Sequence, residues 1–327
     1  MNKRTFIIVI SSIIIISGII GTYNKKEVSK ASSSAIRIAI FEPASHPALD
    51  EIVQGFIETL SQSKKQYVFE RFNANGNKIL LRSLAEEILQ NKFDLIFTVG
   101  IECSLTIKNL SIKKQCSTPI VFTGVDNPQK IGLVGERITG VSTQPCYPQQ
   151  IEILTDLIPS VKKILLVYDP TQGCGLESDK DQLTLILKKK NIELTAIEIE
   201  SISEISQKAT AYMAQIDVVM VLKDHTIVSG IDSLIELCKR YHKPLFASDL
   251  NSGIKGAALA YGIREYDSGA EAGLKAQLIL EYFKKPSEIA VSSMKTFKML
   301  INKKAAETQG FMLNSQKFSQ HTSIELY

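Results

Sequence analysis

Apolar positions along the chain fall into two alternating rhythms. Short β-branched and aromatic runs at Ile36–Phe41, Tyr67–Phe72, Leu95–Val99, Ile120–Thr123 and Gly140–Ser142 predict strands. Between them the spacing lengthens to that of helices. Leu49, Ile52, Val53, Phe56, Ile57 and Leu60 make one apolar face, and Leu80, Leu81, Leu84, Ala85, Ile88 and Leu89 make another over Lys78–Gln90. Asn-Ala-Asn-Gly-Asn at 73–77 marks the turn before that second helix. Leu95–Val99 is almost continuously apolar, which suits a parallel strand covered on both faces. From Gln149 the rhythm starts again: helix Gln149–Leu157 stopping at Pro159, strand Ile164–Tyr168, helix Asp179–Lys190, strand Leu194–Ile199 and helix Ser203–Met213. Strand Val218–Leu222, helix Thr226–Tyr241 and strand Pro244–Ala247 follow. Ala257–Tyr261 predicts a further strand, Tyr266–Phe283 a long helix returning to the first half, Ser292–Leu300 a returning strand and Asn302–Gln309 a last helix.

The second series repeats the grammar of the first. FDLIFTVGIECSLTIKN followed by TPIVFTGVDN is matched by IDVVMVLKDHTIVSG followed by KPLFASDLNSG. Asp94 to Pro119 spans 25 positions and Asp217 to Pro244 spans 27. IRIAIFEPASHPALDEIVQGF has its own counterpart in KKILLVYDPTQGCGLESDKDQL. Strands alternate with helices throughout, so the expected fold is α/β, with two similar doubly wound parallel-sheet lobes joined by a hinge. The expected division is 36–140 with 257–292 as lobe one, and 141–256 with 293–327 as lobe two. Hinges are expected near Gly140–Thr143, Asp249–Ala257 and Ser292–Lys298.

Composition narrows the function classes. At 327 residues there is length for two medium cores. A net charge of +4 with both signs interspersed makes no electrostatic case for nucleic acid, and with no Trp and 7% aromatics no base-stacking platform is advertised. The five cysteines (103, 116, 146, 174, 238) form no CxxC pair and have no His at ligand spacing, so no metal or other cofactor is expected. Cys103 and Cys116 read as packing residues. Asn2-Lys3-Arg4 followed by TFIIVISSIIIISGIIG reads as a secretory signal or an uncleaved anchor, with a polar linker to residue 35, and places the folded part outside the cytoplasm.

Ligands of open parallel sheets bind beyond the C-terminal strand ends, beside helix N-termini. That rule selects Glu42, His46, Gly100, Ser104, Thr123, Gly124 and Asp126 in lobe one, and Thr171, Gln172, Asp224, His225 and Asp249 in lobe two. Small, hydroxyl and acidic groups in two facing rows suit a small zwitterion, with helix N-termini taking a carboxylate and an Asp taking an ammonium. Each position has a purely structural alternative. Asp224 with Thr226 reads equally as a helix cap, Asp126 and Asp249 as turn residues, and His46 before Pro47 as a turn orienter. Catalytic signatures are missing: GxSxG, GxxxxGK[ST], GxGxxG after the first strand, and HExxH do not occur. Cys174 with His225 is the one nucleophile pairing the pattern offers.

In order, EPASHPALDEIVQGF, NANGNKILLRSLAEEIL, FDLIFTVG, TPIVFTGVDNPQKIGLV, ITGVS, KKILLVYDPTQ, LKDHTIVSG, PLFASD, GAALAYGIREYDSGAEAG and INKKAAETQG resemble the ABC-transporter substrate-binding family that includes TrpX-type aromatic amino-acid binders. The likeness runs from Ile36 to about Gly310. It implies a type I periplasmic-binding-protein fold closing around a ligand. The chain departs from the family at Asp126-Asn127-Pro128, at Asp169-Pro170-Thr171-Gln172-Gly173-Cys174-Gly175 and at Asp224-His225. The expectation is a monomeric, non-enzymatic, extracytoplasmic solute-binding protein that captures an amino acid and hands it to an ABC permease. A membrane-anchored sensory binding protein and, behind it, an enzyme using the cleft are the alternatives.

Overall fold

The structure, a computed structural model, describes residues 35–171, 176–312 and 324–327. The leader and linker read from residues 1–35 lie outside them apart from Ala35, as do Gln172 and Cys174.

Lobe one is built on a six-stranded sheet ordered β11-β5-β4-β3-β1-β2. Its strands are β1 (Ile36–Glu42), β2 (Tyr67–Asn73), β3 (Leu95–Val99), β4 (Ile120–Val125), β5 (Ile138–Ser142) and β11 (Ser292–Ser293), all paired in parallel. Every residue of β3 and β5 is buried, as the unbroken apolar run of β3 predicts. Helices α1 (Pro47–Ser61), α2 (Lys78–Gln90) and α3 (Ile101–Lys113) connect the first four strands. Two apolar clusters, one on each face, complete the layers. One contains Phe56 stacked on Phe97 at 3.8 Å, the other Phe41, Cys103 and Phe122.

Lobe two carries a seven-stranded sheet ordered β13-β12-β10-β9-β8-β6-β7. Its strands are β6 (Lys163–Tyr168), β7 (Glu193–Glu198), β8 (Val218–Val221), β9 (Leu245–Ala247), β10 (Leu259–Gly262), β12 (Lys298–Ile301) and β13 (Ile324–Leu326). Its helices are α4 (Tyr147–Leu157), α5 (Leu176–Lys189), α6 (Ile205–Thr210), α7 (His225–Ser229), α8 (Ile231–Tyr241), α9 (Leu250–Lys255) and α11 (Lys303–Thr308), while α10 (Glu265–Leu280) returns to pack on α1. Again an apolar cluster lies on each face.

Four expectations are corrected. The strand near 257–261 does not belong to lobe one, because β10 pairs with β9 and β12 inside the second sheet. The second crossing between lobes therefore runs between β10 and α10, and the hinge expected at Asp249–Ala257 is instead α9, packed against β10 and β12. The second sheet is not wholly parallel, since β12 runs antiparallel to β10. The reason is topological: β10 leaves the lobe at the cleft, and the chain re-enters from the cleft side after β11, so β12 must run the other way. The helix expected over Thr226–Tyr241 is broken at Gly230, where a Cβ would lie 2.7 Å from both Ile202 Cγ2 and Ile205 Cδ1. Crossings one and three, after β5 and between β11 and β12, fall where the remaining hinges are expected.

Candidate functional site

The two sheets point the C-terminal ends of β1, β4, β6, β8 and β9 toward one another. A cleft of about 870 Å³ lies between them, and residues just past those strands line it. Seven predicted positions meet there: His46, Gly124, Asp126, Thr171, Asp224, His225 and Asp249. Gly124 and its neighbour Gly100 both hold positive φ (+70° and +81°), and a Cβ on Gly124 would stand 3.1 Å from the Gly100 nitrogen. The end of β4 and the turn that opens the helix after β3 therefore pack backbone to backbone.

Two selected carboxylates, a histidine and a threonine are occupied by local structure. Asp224 caps α7, with Oδ1 accepting from Ile227 N at 3.1 Å and Oδ2 from Asp169 N at 2.6 Å. Burial raises its pKa, opposed by those backbone donors. Asp249 caps α9 with both oxygens on Ser252, at 2.8 Å to N and 2.7 Å to Oγ. His46 Nδ1 caps α1 by accepting from Ala48 N at 3.2 Å. Burial, then the charges of Lys255 and His225, lower its pKa against the pull of Asp249 and Glu265. Thr171 turns back on Asp169 Oδ1 through both N and Oγ1.

Four selected residues do not reach the cleft. Glu42 is buried in a bidentate pair with Arg71, both contacts 2.8 Å, because β1 and β2 bring them side by side. Ser104 is buried, bonding Thr98 Oγ1 at 2.9 Å and the Gly100 carbonyl at 2.6 Å. Gly100 begins α3 beneath Gly124, and Thr123 is buried in β4 with its hydroxyl unpartnered among the described residues. Gln172 lies outside the described residues. Cys103 and Cys238 are buried, and burial pushes both thiols up, away from nucleophilic use.

The strand-end rule missed an ionic group at the hinge side of the cleft. Lys223, just after β8, reaches Glu265 on the second crossing with Nζ 2.5 Å from Oε1. Burial works against its ammonium, but Glu265, Asp126 and Asp249 outweigh it and raise its pKa. Asp126 takes a 3.0 Å hydrogen bond from Thr143 on the first crossing. Burial raises the Asp126 pKa, with Lys223 and the Thr143 bond opposing. Across from it Asp179, in the first turn of α5, is driven to about 6 by burial and then by the Asp126 charge, despite a bond from the Tyr147 hydroxyl. Lys223 and Glu265 stood beside residues the pattern singled out, but only the crossing geometry brings them together.

Two lobes on mainly parallel sheets, three crossings and a cleft at the strand ends define the type I periplasmic-binding-protein fold. The chain belongs to the ABC transporter substrate-binding protein family, whose model matches residues 37–322. It is 27% identical over 308 residues to a tyrosine-binding protein of Clostridioides difficile, covering 90% of this chain and 87% of the relative. An uncharacterized protein of Rickettsia prowazekii is 29% identical over 270 residues, covering 82% and 84%. Among solved structures, a conserved domain protein of Vibrio cholerae superposes with a TM-score of 0.78 at 25% identity, covering 89% of this chain and all of that one. A Streptococcus pneumoniae ABC domain in complex with L-Trp superposes at 0.79 and 22% identity over the same shares.

Proposed function

We propose that the protein is the exported solute-binding component of an ABC import system, which captures an amino acid between its lobes and delivers it to a membrane permease without chemistry. The observation that carries this reading is the cleft itself: about 870 Å³, fed by the strand ends of both lobes and bordered by the first two crossings through Thr143, Gln144 and Ile263–Glu265. Carboxylates, ammonium groups and hydroxyls share its wall with apolar side chains such as Leu49, Ile101, Leu176 and Ile254, a lining suited to a small solute with both charged and apolar parts. Kinship to a tyrosine-binding protein supports an amino acid as the class. The apolar leader at Thr5–Gly21 supports a place outside the cytoplasm.

Isothermal titration calorimetry of the purified protein against the twenty L-amino acids, tyrosine and tryptophan first, tests the reading. Saturable 1:1 heat with one or a few of them is expected, and in cells loss of the gene should abolish uptake of the same compound. Binding confined to sugars or nucleobases would keep the transport class and overturn the amino acid. Turnover of any bound compound would overturn the non-enzymatic reading.

A further inference from the structure

Two exposed aromatic side chains stand at the end of lobe one opposite the cleft. Helix α10 begins at the cleft with Glu265 and runs the length of the lobe beside α1, about 24 Å for its 16 residues. Tyr282 and Phe283 follow its last turn, 68% and 84% exposed. Phe283 also holds a φ of +53°, the left-handed stop that helices ordinarily give to glycine or asparagine. A bulky side chain strains such a position, and this one buries nothing in the lobe in return. Backbone strain and exposed apolar area at one residue point to a contact outside the chain.

The surroundings indicate what that contact is. The starts of β1 and β2 lie at the same end: Ile36 N donates to the Gln66 carbonyl at 2.9 Å, and the Tyr67 hydroxyl donates to Glu281, next to Tyr282, at 2.7 Å. Lys64, Lys65, Lys92 and Lys114 occupy the turns before β2, β3 and β4, and Lys284 and Lys285 follow Phe283; all six are exposed. The acidic neighbours Asp94, Glu281 and Glu288 accept from Arg37 N, the Tyr67 hydroxyl and Lys285 N, while Glu136 stays exposed. Rings set among lysines suit a lipid interface, where the rings enter the boundary between headgroups and acyl chains and the ammonium groups meet phosphates. Two rings are too small an area for a stable protein interface, but they suffice for a surface that is also held nearby. The chain enters this same end at Ala35, preceded by Lys25, Lys26 and Lys30 in the polar linker and by the apolar run Thr5–Gly21. As an anchor, that run would keep this end within reach of the bilayer.

We propose that the end of lobe one opposite the cleft is a membrane-contact surface, with Tyr282 and Phe283 seated in the interface of an anionic bilayer and the surrounding lysines on its headgroups. Seated this way, the protein holds its cleft away from the bilayer and open to solute. The contact is weak and salt-sensitive, because few side chains insert and the rest is screened charge. It does not depend on which solute the cleft takes.

The chain has no tryptophan, so a single introduced indole reports its own surroundings. The test compares full-length Phe283→Trp with Ile79→Trp, a control 84% exposed beside the cleft-lining Lys78. Each is reconstituted in vesicles of phosphatidylcholine alone or mixed with phosphatidylglycerol, with and without brominated acyl chains. Emission from Phe283→Trp should shift to the blue, and bromine should quench it at least about twofold more on the anionic vesicles, while Ile79→Trp stays unquenched. High salt, or Lys64→Gln, Lys65→Gln, Lys284→Gln and Lys285→Gln together in the Phe283→Trp chain, should remove the difference. Equal quenching on both vesicle types would mean that the leader alone holds the protein there, and would overturn the proposal, as would no quenching of either variant. Quenching at Ile79→Trp rather than Phe283→Trp would overturn it by placing the cleft end on the bilayer. A concentration-dependent blue shift of Phe283→Trp without lipid would overturn it in favour of contact between copies of the chain. Both substituted side chains are exposed, so folding is not at stake, and every outcome leaves the binding-protein reading, which rests on the cleft, to the calorimetry.

Discussion

Asp179 shows how a single residue is set by its cleft. It is 8% exposed, and burial together with the Asp126 charge moves its pKa from an ordinary 3.8 to about 6. A carboxyl raised in the folded state costs nothing below pH 4, where folded and unfolded chains are both protonated. Stability is lost as pH rises through about 6, because the folded protein must then carry a charge the unfolded chain holds more easily. Asp179→Asn should therefore stabilise the ligand-free protein at pH 7.5, by at most about 3 kcal/mol, with the gain vanishing below about pH 4. Urea melts of both proteins across that range check it, and a gain independent of pH would refute the charge as cause. Asp224 illustrates the opposite case. The sequence placed it at the cleft, and the structure adds that both oxygens serve the backbone. Asp224→Ala should cost about 1–2 kcal/mol of folding stability through the lost cap, read from the same melts. Sequence could locate such strand-end residues but not rank them: Asp126 and Asp224 look alike in one dimension, and only hydrogen-bond partners distant in the chain separate them. Lys223 and Glu265 stayed hidden because residues 42 positions apart meet only through a crossing.

Among the elements, the helix pair α1 and α10 explains part of the motif GAEAG at 269–273. A Cβ on Gly269 would sit 1.8 Å from the Ile52 carbonyl oxygen, and one on Gly55 would sit 2.1 Å from that of Tyr266. Gly273 meets Thr59 Cβ at 2.8 Å. The helices thus touch through their backbones, which anchors α10 to lobe one although the strand before it belongs to lobe two. No side-chain shift relieves a clash with a backbone carbonyl, so Gly269→Ala should cost about 2–3 kcal/mol as the helices are forced apart. Leu274→Ala, at a half-exposed site on the same helix, should cost under about 0.5 kcal/mol. Equal midpoints for Gly269→Ala and wild type in urea would contradict the close approach. Strands such as Leu95–Val99 were legible to the residue, since a five-residue apolar run closed by Gly100 is too short for a buried helix. Helix α9 was not: six residues with Gly253 among them carry too little periodicity to register.

At the scale of the whole molecule, the repeat announced two lobes and the alternation announced their sheets, whereas the assignment of β10 needed the pairing itself. A strand's own residues say that it is covered on both faces, not which sheet covers it. With β10 in lobe two, the three crossings follow β5, β10 and β11, and the ionic corner sits on the first two of them through Thr143 and Glu265. Asp126 and Asp179 belong to opposite lobes, and each charge raises the cost of the other when the lobes approach. The expectation is that this repulsion biases an empty cleft toward opening. Small-angle X-ray scattering should show a smaller radius of gyration for the wild type when a ligand identified by the calorimetric panel is saturating. The Asp126→Asn, Asp179→Asn double variant should start more compact than the ligand-free wild type and contract little further with the same ligand. If the wild type keeps its radius at saturation, binding proceeds without rotation about the crossings. If the double variant opens and closes as the wild type does, charge across the cleft does not set the balance between its two states.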